Sequence, residues 1–445
     1  MSLKENLYEI ENTEARKRLI SLFDDESFTE IDAFAKSSNG KVEAVAGFGC
    51  VYGTPVYAFA QDSSVNHGAI SKAHAEKIKK VYELAAKTGA PVIGIYDSNG
   101  VSLNEGIEAL SAYGEMLKLS NSISGVVPQI SVVTGACVGT SALVASAADV
   151  VILSKDAQFY LGAPSEMTAD ECMKAGLASI VADDADKAIE TAKEVIAKMP
   201  MNNLSPAPIV EFTEDASVLD SSSSVKDVIK AVADADSSLE LAADFGANVT
   251  TTLSSVAGST VGFIGYTGTI TADDCSKAYR FVRLCDAFNI PLVSVIDTDG
   301  FDKSADAAVN GVLRQASMLT SAYADATTPK IAVITGKAIG SAYISLAGRA
   351  ANADVVFAWK DAVVSALDVD AAVAFMYNDR LAAGENRNEL VNEYINNEAS
   401  PLVAASMGQI DDVFDACATR AKLISSLDML SGKRVSTLPK KHTVI

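Results

Sequence analysis

The sequence predicts an α/β fold built twice, as two tandem domains that each carry a largely parallel sheet. Three observations lead there. The chain has 445 residues, 49% of them apolar, too long for one core and suited to two domains of about 200 residues. Strand-like runs of Val and Ile alternate with helix-like segments, the pattern of parallel strands joined by right-handed crossovers. The order of these segments, with their motifs, repeats half a chain apart.

Each half opens on a hairpin-like pair of strands, GKVEAVAGFGCVYGTPVYAFAQD (40–62) and NVTTTLSSVAGSTVGFIGYTG (248–268). A helical segment follows, SKAHAEKIKKVYELAAKTG (71–89) and DDCSKAYRFVRLCDAFN (273–289), with apolar residues at three- and four-residue steps. Next come GAPVIGIYDSNG (89–100) and NIPLVSVIDTDG (289–300), β-branched runs ending in Asp-x-x-Gly. After another helical segment stand VPQISVVTGACVGT (127–140) and TPKIAVITGKAIGS (328–341), then AADVVIL (147–153) and NADVVFAW (352–359). Each half is therefore expected to read strand, strand, helix, strand, helix, strand, turn, helix, strand. The Pro- and Ser-containing stretch 201–245 reads as a linker, with SVKDVIKAVAD (224–234) as its helix. The expected division is 1–200, 201–245 and 246–445. From 386 the chain looks helical as far as VSTLPKKHTVI (435–445), read as a surface arm.

The formal net charge of −21 argues against a nucleic-acid or anionic-membrane partner, since phosphates are repelled; solubility is its plain reading. The first twenty residues show neither an apolar core nor a cleavage site, so no secretory signal is expected. The run ISVVTGACVGTSALVASAADVVIL (130–153) is long enough to span a bilayer. Its Gly, Ala and Ser content and Asp149 favour a buried strand, a turn and a small-residue helix. The cysteines, Cys50, Cys137, Cys172, Cys275, Cys285 and Cys417, contain no CxxC pair, so reduced thiols in a cytoplasm are expected. His67, His74 and His442 form no sequence cluster, and no metal site is expected.

The segments TGACVGTS (134–141) and TGKAIGSA (335–342) are the chemically informative repeat. Each reads as a buried strand, a glycine turn and a helix start, where amide N–H groups lack intrahelical partners and the helix dipole adds positive character. Small side chains let a ligand oxygen reach such amides, as in an oxyanion hole. Close packing alone also explains glycine turns of this kind, and both readings stand on the residues. Neither copy is a P-loop or a GxSxG elbow. Ser141 and Ser341 have no histidine in a recognisable triad relation.

Several stretches in order resemble the family of carboxyltransferase subunits of biotin-dependent acyl-CoA carboxylases and decarboxylases, the propionyl-CoA carboxylase beta type. They are EARKRLISLFDDESFTEIDAF (14–34), VYAFAQDSSVNHGAISKAHAEKI (56–78), GAPVIGIYDSNGVSLNEGIEALSAY (89–113), AYRFVRLCDAFNIPLVSVIDTDGF (278–301), ATTPKIAVITGKAIGSAY (326–343) and ATRAKLISSLDMLSGKRV (418–435). The resemblance implies two crotonase-like ββα-spiral domains, acyl-CoA side first and biotin side second, in a dimer-based hexamer. It implies a carboxyl group moved between carboxybiotin and the alpha carbon of an acyl-CoA, in either direction, with biotin arriving on a separate carboxyl carrier protein. The other partner is a biotin carboxylase subunit or a membrane decarboxylase subunit, the latter giving an otherwise cytoplasmic chain its membrane association. Two oxyanion holes are implied, Gly139 and Thr140 for the thioester and Gly340 and Ser341 for biotin, meeting from different subunits. Gly68, Asn99, Gly100 and Val101 are implied near CoA and substrate, and Gly311 and Arg314 near biotin.

The chain departs from the family pattern at these places. A Gly-Gly pair is Gly139-Thr140 here, and the second turn is Gly340-Ser341. GGAR is NGVS (99–102), VMG is VSAL (364–367), and DVPGF is DTDGF, with Asp299 for proline. The piece after FYLGAP (159–164) is short and lacks a Gly-Gly and His stretch. The changes leave open a different substrate or a non-catalytic scaffold subunit. A crotonase-type hydratase or isomerase is the remaining alternative and needs acidic side chains at the first turn.

Overall fold

The structure is a computed structural model that describes residues 13–37, 40–162, 165–215, 217–437 and 444. The N-terminal residues examined for a signal lie partly outside these, as do His442 and most of the 435–445 arm. The chain forms two compact units, Met1–Pro208 and Ile209–Ile445.

In the first unit, α1 (Glu14–Leu22) starts where the Thr13 hydroxyl accepts from Arg16 N at 3.2 Å. The strands are β1 (Thr29–Glu30), β2 (Ala44–Val51), β3 (Thr54–Gln61), β4 (Val92–Ser98), β5 (Gln129–Val138), β6 (Val150–Ser154), β7 (Gln158–Tyr160) and β8 (Ile180–Ala182). They form one sheet in the order β1-β2-β3-β4-β5-β6-β8, with β7 alongside β5. The β2–β3 hairpin is antiparallel; from β3 to β8 the pairs are parallel. The crossovers are α2 (Lys72–Thr88), α3 (Ile107–Ser122), α4 (Thr140–Ala145) and α5 (Ala169–Lys174), and α6 (Ala185–Lys198) follows the last strand. Phe59, Tyr82 and Tyr96 anchor the core between α2 and the sheet, the Phe59 and Tyr96 rings meeting edge to face at 5.4 Å. The run 130–153 is β5, the turn at Gly139, α4 and β6. No helix among the described residues is long and apolar enough to cross a membrane.

The second unit repeats the plan. Its first elements are α7 (Val225–Val232) and the strands β9 (Leu239–Leu241), β10 (Val249–Val256), β11 (Ser259–Ile270), β12 (Leu292–Phe301), β13 (Lys330–Ile339), β14 (Val355–Trp359), β15 (Val363–Ser365) and β16 (Asp412–Phe414). The sheet order is β16-β14-β13-β12-β11-β10-β9, with β15 alongside β13. The matching crossovers are α8 (Ala272–Ala287), α9 (Ala305–Val309), α10 (Val312–Asp325) and α11 (Ser341–Leu346). The stretch read as a linker is divided between the units: from Ile209 onward it belongs to the second. There Val225, Val228, Ile229 and Val232, one face of α7, are buried in the core, and β9 pairs with β10.

The tail contains α12 (Val369–Met376), α13 (Asn378–Ala382), α14 (Arg387–Tyr394), a π-helical turn (Ile395–Ala399), α15 (Pro401–Ser406) and α16 (Thr419–Leu430). It is not helical throughout, because β16 adds a parallel edge strand to β14. The Trp359 indole N–H donates to Thr419 Oγ1 at 3.0 Å and ties α16 to that edge.

Candidate active site

The two repeated turns have one geometry. β5 ends at Val138, Gly139 has φ 64° and ψ −124°, and α4 begins at Thr140. β13 ends at Ile339, Gly340 has φ 58° and ψ −131°, and α11 begins at Ser341. This region of backbone space is open to glycine and strained for any residue with a Cβ. The N–H of Gly139 donates to Tyr160 O at 3.1 Å and that of Gly340 to Ser365 O at 2.8 Å. Gly139 and Gly340 were expected to donate to a ligand. Their own N–H groups are instead engaged by β7 and β15. No acceptor among the described residues takes the N–H of Thr140 or Ser341, the first helical amides, which are left available at each turn.

A second strand end stands beside each turn. In the first unit, Gly100 has φ 97°, its N–H donates to Ser98 Oγ at 3.0 Å, and a Cβ on it would lie 3.7 Å from Thr140 N. The tighter contact of that Cβ would be with Val138 O at 3.1 Å, so a side chain at 100 would press on the strand end that leads into the turn. In the second unit, Gly300 has φ 106°, its N–H donates to Thr298 Oγ1 at 3.1 Å, and a Cβ would lie 3.4 Å from Ile339 O. Ile70 N donates to Gly100 O at 3.0 Å and Ser102 N to Ile70 O at 3.1 Å. That parallel bridge turns the intervening Val101 N–H to the opposite side, and no described residue accepts it.

Asn99 N donates to His67 O at 3.1 Å, and Gly68 fits so tightly that a Cβ would fall 2.0 Å from Asp97 O. Asn66, His67 and Gly68 all have positive φ. The structure thus brings Gly68, Asn99, Gly100, Val101, Gly139 and Thr140 together. Gly311 (φ 81°) and Arg314 stand at the start of α10, which packs on α11. The exposed Arg314 guanidinium folds over Gly311, and none of its contacts among the described residues is an ion pair.

The supporting carboxylates were visible in sequence as Asp-x-x-Gly, but their task was not. Asp97 Oδ1 accepts from Ala136 N at 3.3 Å, and Asp297 Oδ1 from Lys337 N at 2.8 Å. Each aspartate therefore ties the end of one strand to the strand that carries the turn. Asp97 Oδ2 is further held by Arg18 at 3.0 Å and Ser63 at 2.8 Å.

Sequence reasoning also missed a buried hydroxyl cluster behind the first turn, because its members are far apart in the chain. Tyr113 Oη lies 2.9 Å from Ser141 Oγ and donates to Gly100 O at 3.2 Å, while Ser141 Oγ donates to Ser98 Oγ at 3.1 Å. Burial pushes the Tyr113 hydroxyl up to about 12, so it stays protonated. Ser141 is fully buried within this cluster and has no histidine partner there, which removes it as a nucleophile. Cys137 is also fully buried, and burial followed by Asp97 raises its thiol well above the ordinary value.

Two of the departures from the family pattern bear on the second turn. Residues 364–367 include Ser365, the acceptor for Gly340 N, and Ala366, whose carbonyl oxygen would lie 3.2 Å from a Cβ on Gly340. Asp299 pairs with Lys337 at 2.9 Å, both about half exposed. Among the described residues no group of three or more His, Cys, Asp or Glu side chains is placed to hold a metal ion.

Comparison with known proteins matches the geometry to a family. The carboxyl transferase domain family matches residues 9–445. The methylmalonyl-CoA decarboxylase subunit alpha of Veillonella parvula is 33% identical, covering 96% of this chain and 92% of its own. The methylmalonyl-CoA carboxyltransferase 12S subunit of Propionibacterium freudenreichii subsp. shermanii is also 33% identical, covering 96% and 90%. The crystal structure of transcarboxylase 12S, with methylmalonyl-coenzyme A and methylmalonic acid bound, superposes with a TM-score of 0.89 at 32% identity, over 99% of this chain and 94% of that one. The two sheets with their amide-lined turns are thus tandem crotonase-like domains, and the chain belongs to the carboxyl transferase domain family.

Proposed function

We propose that this chain is the carboxyltransferase component of a biotin-dependent enzyme, moving a carboxyl group between carboxybiotin and the alpha carbon of an acyl-CoA. The observation that carries the reading is the pair of turns whose first helical amides are left without an acceptor among the described residues. In the first domain Thr140 N–H and Val101 N–H would hold the thioester oxygen as it gains enolate charge. In the second, Ser341 N–H would hold the ureido oxygen of biotin. Such donors act by being fixed before the charge develops. Gly68 and Asn99 would line the CoA side, and Gly311 and Arg314 the biotin side.

The reaction asks for little acid–base chemistry from the chain, because carboxybiotin supplies both the carboxyl group and the base. The site fits that demand: its thiol is buried, its serine is bound up, and Asp97 is occupied by Arg18, Ser63 and Ala136 N. The same occupation of Asp97 weighs against a hydratase or isomerase. We propose further that biotin arrives on a carrier chain, with a biotin carboxylase or a membrane decarboxylase subunit as the other partner. We also propose that the chain forms a homo-oligomer, in line with the hexamer assembly of transcarboxylase 12S.

The test is a transfer assay of the purified protein with free biotin and a panel of methylmalonyl-CoA, malonyl-CoA and oxaloacetate. Biotin-dependent decarboxylation of a CoA ester is the expected result. Turnover of none of them would favour the non-catalytic scaffold reading, which the altered residues at both turns already make worth testing.

A further inference from the structure

We propose that the Tyr113 hydroxyl, together with Ser141, is the positioning device of the first amide niche, holding the peptide between Gly100 and Val101 so that its N–H faces the substrate oxygen. The proposal rests on the function proposed above for that niche. Gly100 O and Val101 N belong to one peptide plane. The oxygen accepts three hydrogen bonds, from Ile70 N at 3.0 Å, from Tyr113 Oη at 3.2 Å and, longest, from Ser98 Oγ at 3.4 Å. A carbonyl held from several sides cannot rotate, and its polarisation strengthens the N–H on the other side as a donor. Ser141, in the first turn of α4, links the same hydroxyl at 2.9 Å to the helix that presents Thr140. One buried cluster therefore touches both donors' supports.

The second domain shows why the first needs this device. There the strand pair runs on to the turn: Thr269 pairs with Gly300 and Ile270 with Phe301. In the first domain the β3–β4 pairing stops at Ala60 and Ile95, and on that side the isolated bridge of Ile70 with Val101 takes its place. In the second domain the buried hydroxyl of Tyr323 lies against Tyr266 and Ser294, and no described tyrosine donates to Gly300 O.

The test compares the wild type with Tyr113→Phe, and with Ser141→Ala should the first variant fold poorly. It uses amide hydrogen exchange and, in parallel, kinetics with methylmalonyl-CoA and free biotin. Exchange in peptides covering 99–102 and 139–143 should speed up about tenfold, the loss of roughly one buried hydrogen bond, while peptides covering 340–346 stay unchanged. The kcat should fall about tenfold with KM for the CoA ester within about twofold. Unchanged exchange at 99–102 in a folded variant overturns the proposal, as does an equal acceleration across both domains. A wild type that turns over no CoA ester defeats the functional reading alone, since the exchange comparison still decides what Tyr113 does.

Discussion

The first and second domains carry the same turn on differently built supports. Gln129 and Lys330 begin β5 and β13 at matching places, and both reach back to the end of the preceding helix. Gln129 Nε2 donates to Ser120 O at 2.9 Å, a neutral contact. Lys330 Nζ donates to Tyr323 O at 2.6 Å and Ala326 O at 2.5 Å, a buried ammonium on helix-terminal carbonyls. Asp149 and Asp354 likewise accept from the strand amides Gln129 N and Lys330 N, each at 2.8 Å. Asp354 also pairs with Lys433 at 2.7 Å, whereas Asp149 is in no ion pair among the described residues. Duplication has kept the backbone geometry at the turns and let the buried charges behind them diverge. The turns and the aspartates that tie them are thus shared, while the groups deeper behind them differ.

The largest expected effects come from the turns. Valine at Gly139 or Gly340 should reduce transfer at least 100-fold and cost about 1–3 kcal/mol in folding stability. The cost should be greater at Gly340, where a Cβ would sit 3.2 Å from Ala366 O, than at Gly139, where the nearest atom is Leu161 O at 3.8 Å. Thermal unfolding and kcat of the two variants, measured side by side, check this. A turn that accepted valine without loss of activity or stability would break the claim that the shape is what is shared.

The next effect distinguishes the supports. Burial lowers the Lys330 ammonium from 10.5 to about 8. Between those values the unfolded chain binds more protons than the folded one, so this group's contribution to stability rises with pH. The advantage of the wild type over Lys330→Gln should grow by about 2 kcal/mol between pH 8 and 10, read by denaturant unfolding. Gln129→Lys, which installs the amine in the first domain, should cost stability at pH 7 through desolvation.

A smaller contrast separates the aspartates. Burial raises Asp149 from 3.8 to about 6, partly offset by its bond to Gln129 N. Its folded form favours the proton, so its contribution to stability falls as pH rises from about 4 to 6. Asp149→Asn should stabilise by about 1 kcal/mol at pH 8, given its partial exposure, and the gain should vanish near pH 4. Asp354→Asn should instead destabilise, because it leaves Lys433 without its carboxylate. Smallest of all is the exposed Asp299–Lys337 pair: Asp299→Ala should change stability by less than about 1 kcal/mol, measured by the unfolding midpoint.

Much of the fold was legible because the duplication made each half a check on the other. The hairpins, the Asp-x-x-Gly strand ends and both Gly turns stand where their motifs placed them. What escaped depends on long-range pairing. β7 and β15 are three residues long and were given no element in the sequence, yet their carbonyls engage Gly139 and Gly340 and leave Thr140 and Ser341 as the available donors. β16 is recognisable as a strand only beside β14. The helix 225–232 looked like a connector because an amphipathic face carries no record of which sheet it covers. The Tyr113 cluster joins residues 28 and 43 positions apart, a distance at which no local pattern operates.

The central claim is that the Thr140 peptide N–H stabilises the charge that develops on the thioester oxygen. Replacing that N–H by an ester oxygen, by introducing the α-hydroxy analogue of threonine at 140, tests it without changing any side chain. The account predicts a fall of about 100-fold in kcat for transfer from methylmalonyl-CoA to free biotin, with KM within about threefold of wild type. A kcat within twofold of the wild type would contradict it.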